Sequence, residues 1–162
     1  MNELNPFGLC ASSEYWHLKK NQPEILAPIC NGVGSRLSWT YHFIPDTIWG
    51  IDITPASDIH DFDYSWPTRF PAEVDGLTYA TGNAYKNHAD RTFLNNMIRI
   101  FEWHENLPGI KGWTHRRLAG VRRRRAQAYF DILQKWGGPS FWDGKNAPEN
   151  LGFMPETTPA QS

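Results

Sequence analysis

Thr54-Pro55-Ala56-Ser57-Asp58-Ile59-His60-Asp61-Phe62-Asp63-Tyr64 is the stretch from which the rest of the chain is read. Thr54 is a residue type that caps helices, and Pro55 suits the first helical position, where a missing N–H costs nothing. At 3.6 residues per turn, Ser57, His60, Asp61 and Tyr64 fall on one side. An imidazole, a carboxylate and a phenol then share one face within two turns. A surface helix has no structural use for such a face; a proton-transfer site beside a cation does.

Moving outward, Ile29-Cys30-Asn31-Gly32-Val33-Gly34-Ser35 predicts a tight loop, with Gly32 and Gly34 free to take unusual dihedrals. Residues 36–53 carry aromatics and turn residues and have room for one short strand. Residues 1–28 are Pro-punctuated, with a short helix expected over Ser12–Lys20, and are expected to wrap a core formed by residues 29–138. Trp66–Asn83 is expected to be a long irregular excursion, broken by Pro67, Pro71, Gly76 and Gly82. A helix is predicted from Asn87 to Trp103, its core stripe being Phe93, Leu94, Met97, Ile98 and Phe101. Thr114 is the expected cap of a third helix that runs to Trp136 with Leu118, Val121, Ala128, Tyr129, Ile132, Leu133 and Trp136 inward. Gly137-Gly138-Pro139 is expected to stop it, leaving residues 139–162 as an extended or disordered tail. The fold class is therefore mainly α: an antiparallel helix pair carrying the polar residues, a third long helix, a Gly-rich loop and irregular extensions.

The 162 residues suit one domain and can bury about two thirds of the unfolded surface. A net charge of −1 and a pI near 6.6 give no general attraction to polyanions, and no nucleic-acid partner is expected. Aromatics make up 14% of the chain, with eight Trp, which points some of them toward a membrane or partner. Trp66, Phe70, Trp103 and Trp142 could form such a rim or fill the core. Two cysteines are too few for a disulfide scaffold. With neither a signal peptide nor a membrane-spanning run in view, the expectation is a product made in the cytoplasm. Reaching another compartment would then need lysis, packaging or dedicated machinery.

Asp90 lies one turn before Phe93 and Leu94, near the packing face of its helix. A carboxylate at a helix–helix interface needs a partner. If the helices at 54–64 and 87–103 pack antiparallel, His60 and Tyr64 are the natural ones. The residues that surround this set bear a resemblance. Gly50-Ile51-Asp52-Ile53, Pro55-Ala56-Ser57 and His60-Asp61-Phe62-Asp63-Tyr64 resemble the core motif of secreted bacterial and fungal phospholipases A2, and Ile44-Pro45-Asp46 resembles that family's Pro-Asp turn. Ala89-Asp90-Arg91-Thr92-Phe93-Leu94-Asn95-Asn96-Met97 is similar to its second-helix motif. The run from Tyr129 to Gly137 is similar to the last helix of small phage- or prophage-encoded relatives.

The resemblance implies catalytic roles for His60, Asp90 and Tyr64. His60 would activate a water against the central ester of a glycerophospholipid. Asp90 would hold the other ring nitrogen, and Tyr64 would donate to that carboxylate. It also implies a Ca2+ cofactor, with Asp61 as ligand and carbonyls of Cys30, Gly32 and Gly34 as the remaining metal positions. The spacing from Gly32 to His60 is longer than in the animal enzymes, which leaves open which carbonyls bind. One departure is plain: the family has a cysteine where this chain has Ser57. The disulfide joining that helix to the calcium loop is absent and Cys30 lacks its family mate. Such a crosslink contributes about 3 kcal/mol, so packing must hold the loop instead.

Arg116, Arg117 and Arg122 to Arg125 form an expected basic face on the third helix, either solvated or set against anionic headgroups. His17, His42, His88, His104 and His115 lack metal-ligand spacing. The expected activity is calcium-dependent hydrolysis of the sn-2 ester of phospholipids at a membrane surface. The alternative is a phage virion or tail protein that keeps the fold and acts by binding, with tail or baseplate partners. A metal phosphohydrolase of the His-Asp type ranks last, because the His-rich helix it needs is missing.

Overall fold

The computed structural model describes residues 3–30, 46–66 and 72–145. Over these the chain is mainly helical. The elements are α1 (Ser13–Asn21), α2 (Pro23–Leu26), β1 (Thr47–Ile48), β2 (Ile51–Asp52), α3 (Thr54–Ser65), β3 (Ala72–Val74), β4 (Leu77–Tyr79), α4 (Gly82–Glu105), α5 (Gly109–Trp136) and α6 (Gly138–Lys145).

Helix α3 starts differently from expectation. Ile53 is its N-cap and makes no side-chain cap, while Thr54 lies inside and its N–H is taken by the Asp52 carboxylate at 2.8 Å. The expected strand in residues 36–53 is a small antiparallel hairpin, β1 paired with β2. Its inward Ile48 and Ile51 are both buried. The excursion expected at 66–83 contains a second hairpin, β3 with β4, turned at Asp75-Gly76. Asp75 also accepts the Ser13 N–H at 3.0 Å, which pins the start of α1. Helix α4 begins at Gly82, capped by Thr81, well before the expected Asn87.

Helices α4 and α5 form an antiparallel hairpin joined through Asn106–Pro108. Lys86 at the start of α4 meets the Leu133 carbonyl near the end of α5, and the Glu105 carbonyl at the end of α4 accepts from Arg116 in the first half of α5. Thr114 caps nothing: α5 begins five residues earlier, after Pro108, and the Thr114 hydroxyl bonds back to the carbonyls of Ile110 and Lys111. Helix α3 crosses α4 with contacts in opposite order, Asp63 near Tyr85 and His60 near Phe93, so this pair is antiparallel too.

The core lies among these three helices and the first hairpin, with Ile51, Ile53, Ile59, Phe62, Phe93, Met97, Phe101 and Leu133 at its centre. Leu9, Tyr15 and Leu26 close one side. Asn96 holds that N-terminal segment like a sheet partner: it accepts the Cys10 N–H and donates to the Cys10 carbonyl, each at 2.8 Å. The tail departs from expectation at its start. Residues 138–145 are helical, and Phe141 is fully buried against Tyr64 with rings edge-on at 5.2 Å. The rest of the tail lies outside the described residues.

Candidate functional site

Asp90 is completely buried midway along α4, one side of which faces α3 and the other α5. A carboxylate so placed must have its lone pairs filled. On Oδ1 it receives the Tyr64 hydroxyl at 2.6 Å and the His60 Nε2 at 3.0 Å. On Oδ2 it receives the Lys86 ammonium at 2.7 Å and the Gln134 amide at 2.6 Å. The four donors come from three helices: α3 supplies His60 and Tyr64, α4 supplies Lys86 one turn earlier, and α5 supplies Gln134. The carboxylate is the common anchor of three helices.

The electrostatics set the protonation pattern. Burial raises the Asp90 carboxyl, but the hydrogen bond and charge of His60, and then those of Lys86, bring it below its ordinary value. Asp90 is thus ionised and accepts only. Burial, with the Asp90 charge and hydrogen bond added, pushes the Tyr64 phenol well above its usual range, so it stays a donor. With Nε2 donating to Asp90, the neutral form of the ring has its free lone pair on Nδ1. Nδ1 is buried and, among the described residues, has no hydrogen-bond partner. The ring is wedged between Tyr64 at 4.0 Å and Phe93 at 4.9 Å, tilted 43° and 35° to them, and is 2% exposed. A fixed imidazole with one nitrogen tied to a carboxylate and the other unsatisfied has the geometry a general base needs.

Lys86 and Gln134 were not anticipated. Lys86 had a signal, since it stands four residues before Asp90 and such pairs meet on a helix. Gln134 had none, because its approach depends on how α5 lies against α4.

Asp61 follows His60 on α3 and is buried. Gly32 and Gly34 lie outside the described residues. Cys30 is held near α3, its thiol donating to the Asp58 carbonyl at 3.3 Å, and burial together with Asp58 and Asp61 pushes that thiol up to about 12. Ser57 turns its hydroxyl back to the Ile53 carbonyl of its own helix at 3.4 Å. Among the described residues, no three His, Cys, Asp or Glu side chains gather into a metal-holding group. The donors expected here are one hard carboxylate, Asp61, and backbone carbonyls, a set whose chemistry suits a hard cation and does not require such a cluster.

The expected basic face divides. Arg122 is 2% exposed and donates to the carbonyls of Trp49 at 2.7 Å and His115 at 3.2 Å. Arg123 grips Glu105 with two 2.9 Å bonds, and Arg116 donates to the Glu105 carbonyl. Arg117, Arg124 and Arg125 remain outward. The aromatics considered as a rim are scattered. Trp66 donates to Glu14, Trp103 packs edge-on against Phe7, and Trp142 lies beside Phe141; Phe70 is outside the described residues.

No family model, curated protein or solved structure matches this chain. The resemblance to phospholipases A2 therefore stands on the residues quoted above and on their chemistry.

Proposed function

We propose that this chain is a phospholipase A2-type carboxylic ester hydrolase, probing the central ester of glycerophospholipids with a water activated by His60. The observation that carries this reading is the Asp90 carboxylate receiving His60 Nε2 and the Tyr64 hydroxyl while His60 Nδ1 is left unsatisfied. In the reaction, Nδ1 takes a proton from water as the oxygen attacks the ester carbonyl. Asp90 stabilises the resulting imidazolium and keeps the ring from turning. Nδ1 then returns the proton to the departing lysophospholipid oxygen. Tyr64 and Lys86 keep Asp90 ionised and in place. Asp61, with carbonyls among residues 30–34, would hold Ca2+, which supplies positive charge for the substrate phosphate and for the oxygen that becomes negative. The antiparallel pair α3 and α4 supports a phospholipase A2-like arrangement of the catalytic helices, and the phage-type likeness of the last helix supports an origin in a phage or prophage.

The test is fatty acid release from mixed phospholipid vesicles. Release should require calcium and fall by about 10²-fold or more in His60→Ala. Undiminished release in that variant rejects the base, and equal calcium affinity of wild type and Asp61→Asn by calorimetry rejects the ligand.

A second reading has one observation in its favour. Lys86 and Gln134 tie the same carboxylate to α5, so the buried polar group also works as a structural knot among three helices. On that reading the chain is a virion or tail protein that binds without turnover. It would copurify with particles in fixed stoichiometry and release no fatty acid.

A further inference from the structure

The two hairpins turn in the same way on different residues. Each has a two-residue turn with both central φ positive: Asp75 and Gly76 at 50° and 79°, Trp49 and Gly50 at 47° and 76°. This turn favours Asn, Asp or Gly at its first position, where the backbone is left-handed. Asp75 conforms. Trp49 does not: a bulky residue there is strained, and it is also 60% exposed. Its carbonyl is held by the buried Arg122 guanidinium at 2.7 Å, so the fold fixes the Trp in this posture. Neither burial nor turn preference accounts for the indole.

Beside Trp49 lies a cleft of about 580 Å3 between the first hairpin and α5, lined by Thr47, Ile48, Trp49, Val121, Arg124, Arg125, Ala128 and Tyr129. Arg125 is positioned by the Tyr129 hydroxyl, which accepts from Nε at 3.1 Å, and its guanidinium lies 5.1 Å from that ring's centre. Arg124 makes no hydrogen bond or ion pair among the described residues. Among the described residues, no carboxylate lines the cleft. Two guanidiniums on adjacent residues offer forked donors that match phosphate oxygens, and Ile48, Val121 and Ala128 give the floor an apolar character.

We propose that this cleft is a binding site for a phosphate ester that carries an apolar body, with Arg124 and Arg125 on the phosphate and Trp49 and Tyr129 against the adjoining group. It shares no lining residue with the His60–Asp90 site and does not depend on the hydrolase reading. The phosphate has two candidate sources, a phospholipid headgroup or a soluble phosphate ester, and the experiment separates them.

The full-length chain is titrated by calorimetry with glycerol phosphate, with a short-chain phosphatidylglycerol kept below its micelle concentration, and with acetate as reference anion. The Trp49 indole N–H signal, assigned by its absence in Trp49→Phe, is followed by NMR. Saturable binding of either phosphate probe with a shift of the Trp49 signal is expected, weakened at least about tenfold in Arg124→Gln/Arg125→Gln, whose outward side chains leave the fold intact by circular dichroism. Binding of the lipid probe alone assigns a phospholipid, weaker but saturable binding of glycerol phosphate assigns soluble esters as well, and equal affinity for both would overturn the apolar part of the site. Trp49→Asn should bind more weakly while melting no lower than wild type, because Asn suits the turn. Binding no tighter than acetate, affinity unchanged in the double variant, or a lower melting temperature with full affinity in Trp49→Asn would each overturn the site.

Discussion

Asp90 concentrates the polar chemistry of the interior, and its protonation has a definite sign. A carboxyl depressed in the folded state stabilises the fold above its unfolded-state value, and that contribution is lost as pH falls through the folded one. The chain should therefore lose stability on acidification below about pH 4, as Asp90 takes up a proton. In Lys86→Met one of the lowering influences is gone and the carboxyl rises. The acid transition, followed by circular dichroism, should move to higher pH. At neutral pH the same variant leaves a buried charge short of a partner and should cost about 3–5 kcal/mol in urea unfolding. A transition at the wild-type pH with wild-type stability would show that Lys86 contributes nothing to Asp90. At this scale the pairing of Asp90 with His60 and Tyr64 was legible, because a carboxylate beside Phe93 and Leu94 has to be satisfied from the facing helix. Arg122 was not. Its neighbours Arg123, Arg124 and Arg125 look alike in sequence, and only the carbonyls of Trp49 and His115 draw one of the four inward.

Helix ends were the elements most often misplaced, each for a local reason. Thr114 has the chemistry of a cap, but a Thr hydroxyl can equally bond carbonyls of its own preceding turn, as it does. Gly137 ends α5 at Trp136 as expected, but a new helix opens directly after it, since proline is tolerated in a first helical turn, where α6 places Pro139. The hairpin at 72–79 was hidden by strands of three residues each, despite the Asp75-Gly76 signal. The junction of α5 and α6 carries its own prediction. A Cβ added to Gly137 would stand 2.6 Å from the Leu133 carbonyl oxygen and 2.7 Å from the Tyr64 hydroxyl. Gly137→Ala should push the Tyr64 hydroxyl off Asp90 and destabilise the chain by about 1–3 kcal/mol. Fatty acid release should fall even though no proposed catalytic residue is changed. Normal stability together with normal release would mean that the Tyr64–Asp90 bond tolerates displacement.

At the scale of the molecule, α3 is covered on one flank by the N-terminal segment, which wraps the core as expected, and on another by α6, where a loose tail was expected. Phe141 fills the space beside Tyr64, Tyr85 and Ala89. Phe141→Ala should cost about 3–5 kcal/mol, read from urea unfolding of the full-length chain. A loss below about 1 kcal/mol would restore the view of residues after 138 as a loose tail. What the chain of residues determined alone was the mainly helical class and the need of Asp90 for donors, because periodicity and desolvation act over one or two turns. The inward stripe of α5 was read only in part, with Tyr129 and Leu133 buried but Trp136 46% exposed. What tertiary structure alone decided was which donors arrive: Gln134 from forty-four positions away, Arg122 turned inward, Phe141 seated against Tyr64. Those choices depend on how whole helices lie against one another, and local spacing carries no record of that.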